Sequence, residues 1–180
     1  MRPHISKEDI SIFDLIAAVL FWGLTIAWIV MIFYFSSESG EMSSDRSLSA
    51  LQFIELLFGK GFMTEEVLRK LAHILEFAVL TALAFMSVRY TNRISIARSY
   101  AESPVKLIKS DNEMYIVITL WISMLTAVID EYHQLFVDGR SGSIIDVLVD
   151  SIGVIIVLLI VRIIFTIYLK YIGSKEIRYE

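Results

Sequence analysis

The sequence predicts an all-α membrane protein, a bundle of four transmembrane helices. Both termini are expected to be cytoplasmic, with a short amphipathic helix on the outer face between spans one and two. Three observations predict this fold. Hydrophobic residues make up 56% of the 180-residue chain and the mean hydropathy is +0.66, against about 45–50% apolar in an ordinary soluble domain. Four separate stretches each supply the roughly 20 apolar residues that a helix needs to cross the hydrocarbon core. The segments that join them alternate between rich and poor in Lys and Arg.

The first span is expected over residues 13–36, with Asp14 as its one charge and Trp22, Trp28 and Tyr34 as aromatic anchors. It exceeds the apolar core of a signal peptide, and acidic Glu8, Asp9 and Asp14 open it, so it reads as an uncleaved span. The second span, 65–88, has Thr64 as its N-cap and Glu65 and Glu66 in the first turn, where the helix dipole favours anions. His73 and Glu76 interrupt its apolar run. The third, 114–137, has Asp111 and Asn112 as candidate caps and carries Asp130, Glu131, His133 and Gln134 near its end. The fourth, 144–168, has Asp146 and Asp150 near its beginning and Arg162 near its end. Gly139 and Gly142 mark a tight turn between the last two spans.

Cations set the orientation. Arg2 and Lys7, then Arg89, Arg93, Arg98, Lys106 and Lys109 in loop 89–113, then Lys170, Lys175 and Arg178, place both termini and that loop in the cytoplasm. Residues 37–63 hold only Arg46 and Lys60, and the turn 137–143 only Arg140, so these segments lie outside. Within 44–58, Leu48, Leu51, Ile54, Leu57 and Phe58 recur at helical spacing. That segment either lies on the outer membrane surface or packs across the mouth of the bundle. Residues 1–180 are expected to form one membrane domain, without repeats. The chain has no cysteine, which excludes disulfides, thiolate metal sites and cysteine nucleophiles.

Charges inside a span are costly and usually face the bundle interior, paired or functional. Here they cluster by depth. Arg69, His73 and Glu76 share one face of the second span, with Lys70 beside it. Asp130 and Gln134 share a face of the third, with Glu131 adjacent. Asp146 and Asp150 share a face of the fourth. All lie within roughly 10–15 Å of the outer interface. The structural alternative is that Arg69 and Lys70 neutralise Glu76, Asp130, Asp146 or Asp150 in buried pairs, although such pairs add little net stability.

Two stretches resemble the VanZ-like family of bacterial membrane proteins. One is RKLAHILEFAVL, Arg69–Leu80; the other is DEYHQLFVDGRSGSIIDVLVDSIG, Asp130–Gly153. FSSE, Phe35–Glu38, is a weaker third match. Phe77 stands where the family often has Tyr, and Glu38 and Asp150 where amides are common. The resemblance implies a multi-pass protein of the bacterial cytoplasmic membrane. It also implies a link to resistance against teicoplanin and related glycopeptide antibiotics, which act on peptidoglycan precursors outside the cell.

The leading functional expectation is a protein that engages a cell-envelope or lipid-linked ligand from the outer leaflet. Arg69, Lys70 and Arg140 would meet phosphate or carboxylate groups. His73, Glu76, Asp130, Glu131, Gln134, Asp146 and Asp150 complete the expected ligand-binding set. The expected partners are membrane lipids and a lipid-linked cell-wall precursor or glycopeptide; nucleic acid is not expected, and a homo-oligomer is compatible with the small size. The alternative is an intramembrane hydrolase or transferase acting on a lipid headgroup, with His73, Glu76 and Asp130 as catalytic candidates. A metal version of it would use His73, Glu76, Asp146 and Asp150. No zinc-protease helix motif, phosphate loop or nucleophile elbow is present, and no cofactor is expected. An ion-coupled transporter is a third class, disfavoured because the charges stop halfway through the bundle.

Overall fold

The computed structural model describes residues 12–94 and 104–176, and these are all helical apart from short connections. The helices are α1 (Ile12–Ser36), α2 (Gly40–Phe58), α3 (Glu65–Ile94), α4 (Pro104–Gln134) and α5 (Ile144–Glu176). Arg2, Lys7, Arg98 and Arg178, on which part of the expected orientation rests, lie outside the described residues. Within α1, α3, α4 and α5, the segments Ile12–Ser36, Glu65–Arg93, Asn112–Gln134 and Ile144–Tyr171 are long and apolar enough to cross a membrane. Their outward surfaces are apolar: Leu20, Leu24, Trp121, Leu125, Ile155 and Ile163 are all exposed. This is the reverse of a soluble bundle, whose outward faces are polar.

α3 is the hub and packs against all four other helices. One core cluster joins Ile32, Phe77, Leu80, Ala127, Val154 and Leu158, and a second joins Phe85, Val88 and Tyr115. Lipid tails are as apolar as leucine, so helices in a bilayer associate through close approach and hydrogen bonds. Both devices are present. Gly153 of α5 lies against the main chain of Ile74 and Ala78 in α3. Thr25 and Ser87 share a hydrogen bond of 2.9 Å between α1 and α3, and the Thr81 hydroxyl donates to Ser123 of α4 at 3.0 Å. The Trp28 indole donates to the Glu76 carbonyl at 2.9 Å. These hydroxyls sit in the half of the bundle that the sequence presents as almost uniformly apolar.

Several helix limits differ from expectation for local reasons. α4 begins at Pro104, so Asp111 and Asn112 lie inside the helix and do not cap it. Proline suits a first helical position because the N–H it lacks would be unpaired there anyway. α4 ends at Gln134, short of 137, where the Phe136 and Val137 amides bond back to His133 and Gln134 in tight turns and Gly139 takes φ +71°. Thr64 does cap α3, its hydroxyl accepting from Val67 N at 3.3 Å. α2 starts earlier than 44, with Ser39 accepting from Met42 N. It packs against α3 with Ser43 buried, which favours the arrangement across the bundle mouth over a helix lying apart.

Candidate functional site

One end of the bundle gathers the C-termini of α1 and α4 with the N-termini of α2, α3 and α5. A latch holds it together. The Gly40 amide donates to the Asp138 carbonyl at 3.0 Å, tying the α1–α2 junction to the α4–α5 turn. Arg140 reaches from that turn to the last carbonyls of α1. Its Nε donates to Glu38 O at 3.2 Å and its Nη2 to Phe35 O at 3.3 Å. α1 carries no basic residue in its own last turn, so Arg140 supplies the positive charge that a helix C-terminus favours. Burial first, then the neighbouring Arg69 and Arg46, pull the Arg140 pKa below its ordinary value. Glu131 does the converse for α5: its Oε2 accepts the Ser143 N–H at 2.9 Å, placing an anion at that N-terminus.

Below the latch lie the acidic residues and the histidine. His73 Nδ1 is 3.5 Å from Asp150 Oδ1 and 3.9 Å from Glu76 Oε2. The Gln134 amide donates to Asp130 Oδ2 at 3.2 Å and Glu131 Oε1 at 3.3 Å. Asp130 and Asp150 are both 0% exposed. Asp150 has His73 beside it, and Asp130 has the Gln134 amide and the Ser36 hydroxyl, so among the described residues neither buried carboxylate pairs with an arginine or lysine.

Two cavities open here. The first, about 310 Å³, is bounded by α1, α2 and α3, with an apolar side (Ile32, Phe35, Leu68 and Ala72) and a polar floor including Ser36, Glu76 and Asp130. The second, about 170 Å³, is polar, with Lys70, Glu131, Gln134, Asp146 and Asp150 in its walls. Arg69, His73 and Arg140 belong to both, forming a cationic partition between them.

All ten residues expected from the sequence therefore meet at this end, but their pairings differ from those expected. Lys70 pairs with the exposed Glu66 on its own helix. Arg69 is exposed and has neither an ion pair nor a hydrogen bond among the described residues. The buried pairing of Arg69 and Lys70 with the interior acids is thus absent, because both side chains lie near the helix start, where water competes with the acids. Among the described residues no three His, Asp or Glu side chains group closely enough to hold a metal ion. The expected set His73, Glu76, Asp146 and Asp150 is divided: Glu76 lines only the first cavity and Asp146 only the second. Three participants were not in the expected ligand-binding set. Arg46 of α2 pairs with Glu38 at 2.8 Å and lies 4.4 Å above the Phe35 ring. Ser36 lines the first cavity. His133 Nε2 bonds the Ser37 hydroxyl at 2.9 Å. The FSSE stretch was the only signal for the α1 end; nothing in the sequence singled out Arg46.

Since Arg69 is uncommitted, Arg69→Ala is expected to leave folded yield and thermal stability within about 0.5 kcal/mol of wild type, as for a surface substitution. Size-exclusion profiles and unfolding of the detergent-purified variant check this. A collapsed yield would show that Arg69 holds the acids after all.

Four spans surrounding a charged, cavity-bearing end define a multi-pass membrane protein with a polar site built from the ends of its helices. The chain belongs to the VanZ/LLP1 family, whose model it matches over residues 21–165, a stretch that includes every site residue named above. No curated protein and no solved structure matches it.

Proposed function

We propose that this VanZ/LLP1 member binds a lipid-linked or cell-envelope ligand at the charged end of its bundle, from the outer leaflet of the bacterial cytoplasmic membrane. The observation that carries the proposal is the pair of cavities divided by Arg69, His73 and Arg140, one of them half apolar. A cavity with one apolar wall and a cationic partition suits an amphiphile with an anionic group. Arg69 is the natural anchor because its guanidinium is not engaged elsewhere and offers a planar fork to phosphate or carboxylate. Protection against a glycopeptide would follow if the bound molecule were a precursor or lipid on which such a drug acts.

The outward placement has a direct check. The native chain has no cysteine, so Ser141→Cys and Ser99→Cys each provide a single label. An impermeant thiol reagent added to intact cells is expected to label position 141 and not 99. The opposite pattern overturns the outer-leaflet placement. The binding claim is tested with His73→Ala and Asp146→Asn. His73→Ala removes the side chain beside the buried Asp150, so folded yield is measured alongside ligand content. Both are expected to insert at wild-type level yet lose co-purified ligand, read by mass spectrometry of the extract, and any glycopeptide protection the wild type confers. Wild-type ligand content and protection in both would remove this constellation from the function.

One observation supports the enzymatic alternative. His73, with Nδ1 3.5 Å from the buried Asp150 carboxylate, has the orientation partner that a general base requires. Turnover of a headgroup ester by the purified chain, lost in Asp150→Asn, would establish it.

A further inference from the structure

The cations of the site are mostly committed, whereas its deepest carboxylates have no arginine or lysine partner among the described residues. Arg46 is held by Glu38, Lys70 by Glu66, and Arg140 by the carbonyls of Phe35 and Glu38. In the first cavity the buried Asp130 has only neutral donors, the Gln134 amide and the neighbouring Ser36 hydroxyl, and no ion pair among the described residues. In the second, His73 at 3.5 Å is the one ion-pair partner of the buried Asp150 among the described residues. A buried carboxylate without a well-paired cation is costly. A ligand carrying only negative charge would satisfy Arg69 but meet repulsion from Glu76 and Asp130. A neutral ligand would satisfy neither group.

We infer that the site takes a zwitterionic amphiphile, its primary ammonium on Asp130 and Ser36, its phosphate on Arg69, and its chain along the apolar side of the first cavity. This rests on the ligand-binding reading above and names the headgroup class. A primary ammonium supplies the positive charge that Asp130 is not paired with, together with N–H donors for its oxygens. A quaternary ammonium has none and is usually held by aromatic faces. The one Phe, Tyr or Trp ring among the described lining residues of the first cavity, Phe35, already lies under Arg46. The shared chemistry, an ammonium beside a phosphate, occurs both in an ethanolamine phospholipid and in the free headgroup. The apolar wall of Ile32, Leu68 and Ala72 assigns the lipid form.

The test uses the full chain purified in detergent and titrated with phosphatidylethanolamine, phosphatidylcholine, phosphatidylglycerol or free phosphoethanolamine. Binding is read by native mass spectrometry and by the shift in melting temperature. Phosphatidylethanolamine is expected to bind with a Kd about tenfold below those of the other two lipids, a difference of about 1.4 kcal/mol. Free phosphoethanolamine is expected to be far weaker. Asp130→Asn should erase the preference for phosphatidylethanolamine over phosphatidylglycerol, and Arg69→Ala should weaken both. If Asp130→Asn does not fold, Ser36→Ala is read for the same loss of preference. Equal or tighter binding of phosphatidylglycerol or phosphatidylcholine by the wild type overturns the inference. So does a preference that survives both substitutions, or free headgroup binding as tight as the lipid. Phosphatidylglycerol preferred but still dependent on Arg69 would overturn only this inference. No lipid binding sensitive to Arg69 would overturn the ligand-binding reading as well.

Discussion

Gly153→Ala is expected to deprive the protein of most of its folded yield, while Gly23→Ala, one methyl added to another helix, leaves it intact or slightly stabilised. A Cβ at Gly153 falls on the main-chain oxygen of Ile74 and comes within 3.0 Å of the Ala78 nitrogen. These are backbone atoms of a neighbouring helix, so no rotamer change can relieve the contact. α3 and α5 must separate, and α3 is the hub of the bundle. Overpacking costs roughly 1–3 kcal/mol, occasionally more, and the rigid obstacle puts this case at the upper end. In a bilayer the loss of close approach is not offset by a hydrophobic driving force between helices. The effect also reaches the site. Gly153 lies one turn beyond Asp150, so separating the helices draws Asp150 away from His73. Around Gly23 nothing lies within 4 Å of an added Cβ, and alanine is better than glycine in a helix by about 0.5–1 kcal/mol. Monodisperse yield after size exclusion and melting temperature in detergent decide the matter. Equal values for the two variants would show that α3 and α5 are not in main-chain contact.

Arg140→Ala is expected to cost about 2–4 kcal/mol: two hydrogen bonds from a charged group would contribute about 3–6 kcal/mol at full strength, and these two are long and only part-buried. Arg140→Lys should recover little of it. The bonds at 3.2 and 3.3 Å leave from Nε and Nη2 to two different carbonyls, and an ammonium cannot reproduce that fork. Residues 135–143 would then lose one of their two ties to the α1–α2 junction, keeping the Gly40–Asp138 bond. Limited proteolysis should cut this turn in the variant at concentrations that spare the wild type. If Arg140→Lys is as stable and as protease-resistant as wild type, Arg140 acts as a point charge and not as a clamp. The prediction also separates Arg140 from Arg69. Both border the two cavities, yet one holds the fold while the other is free to hold a ligand.

These roles show how much of the protein was legible beforehand. The spans were legible because a run of apolar residues has few fates other than burial in lipid, and the Thr64 cap because capping is local. The gathering of charges was legible because antiparallel spans bring residues at equal distance from the same interface to equal depth. The VanZ-like resemblance, carried by the stretches at Arg69–Leu80 and Asp130–Gly153, agrees with the family to which the chain belongs. The start of α4 differs from the sequence expectation because Asp111 and Asn112 look like caps wherever they occur, while the helix begins at Pro104.

The sequence by itself determined that four apolar helices with charged ends would bring His73, Glu76, Asp130, Asp146 and Asp150 to one depth. Only the tertiary structure decided which partner each charge has. Arg140 and Glu131 read as ligand groups, yet they engage a helix C-terminus and a helix N-terminus. Arg69 read as the neutraliser of buried acids, yet it stands uncommitted at the rim. The physical reason is that a guanidinium can donate to a helix-end carbonyl as well as to a carboxylate. A sequence spells out the carboxylates, but the free carbonyls and amides exist only where helices stop, and they become partners only when another helix end is brought within about 3 Å.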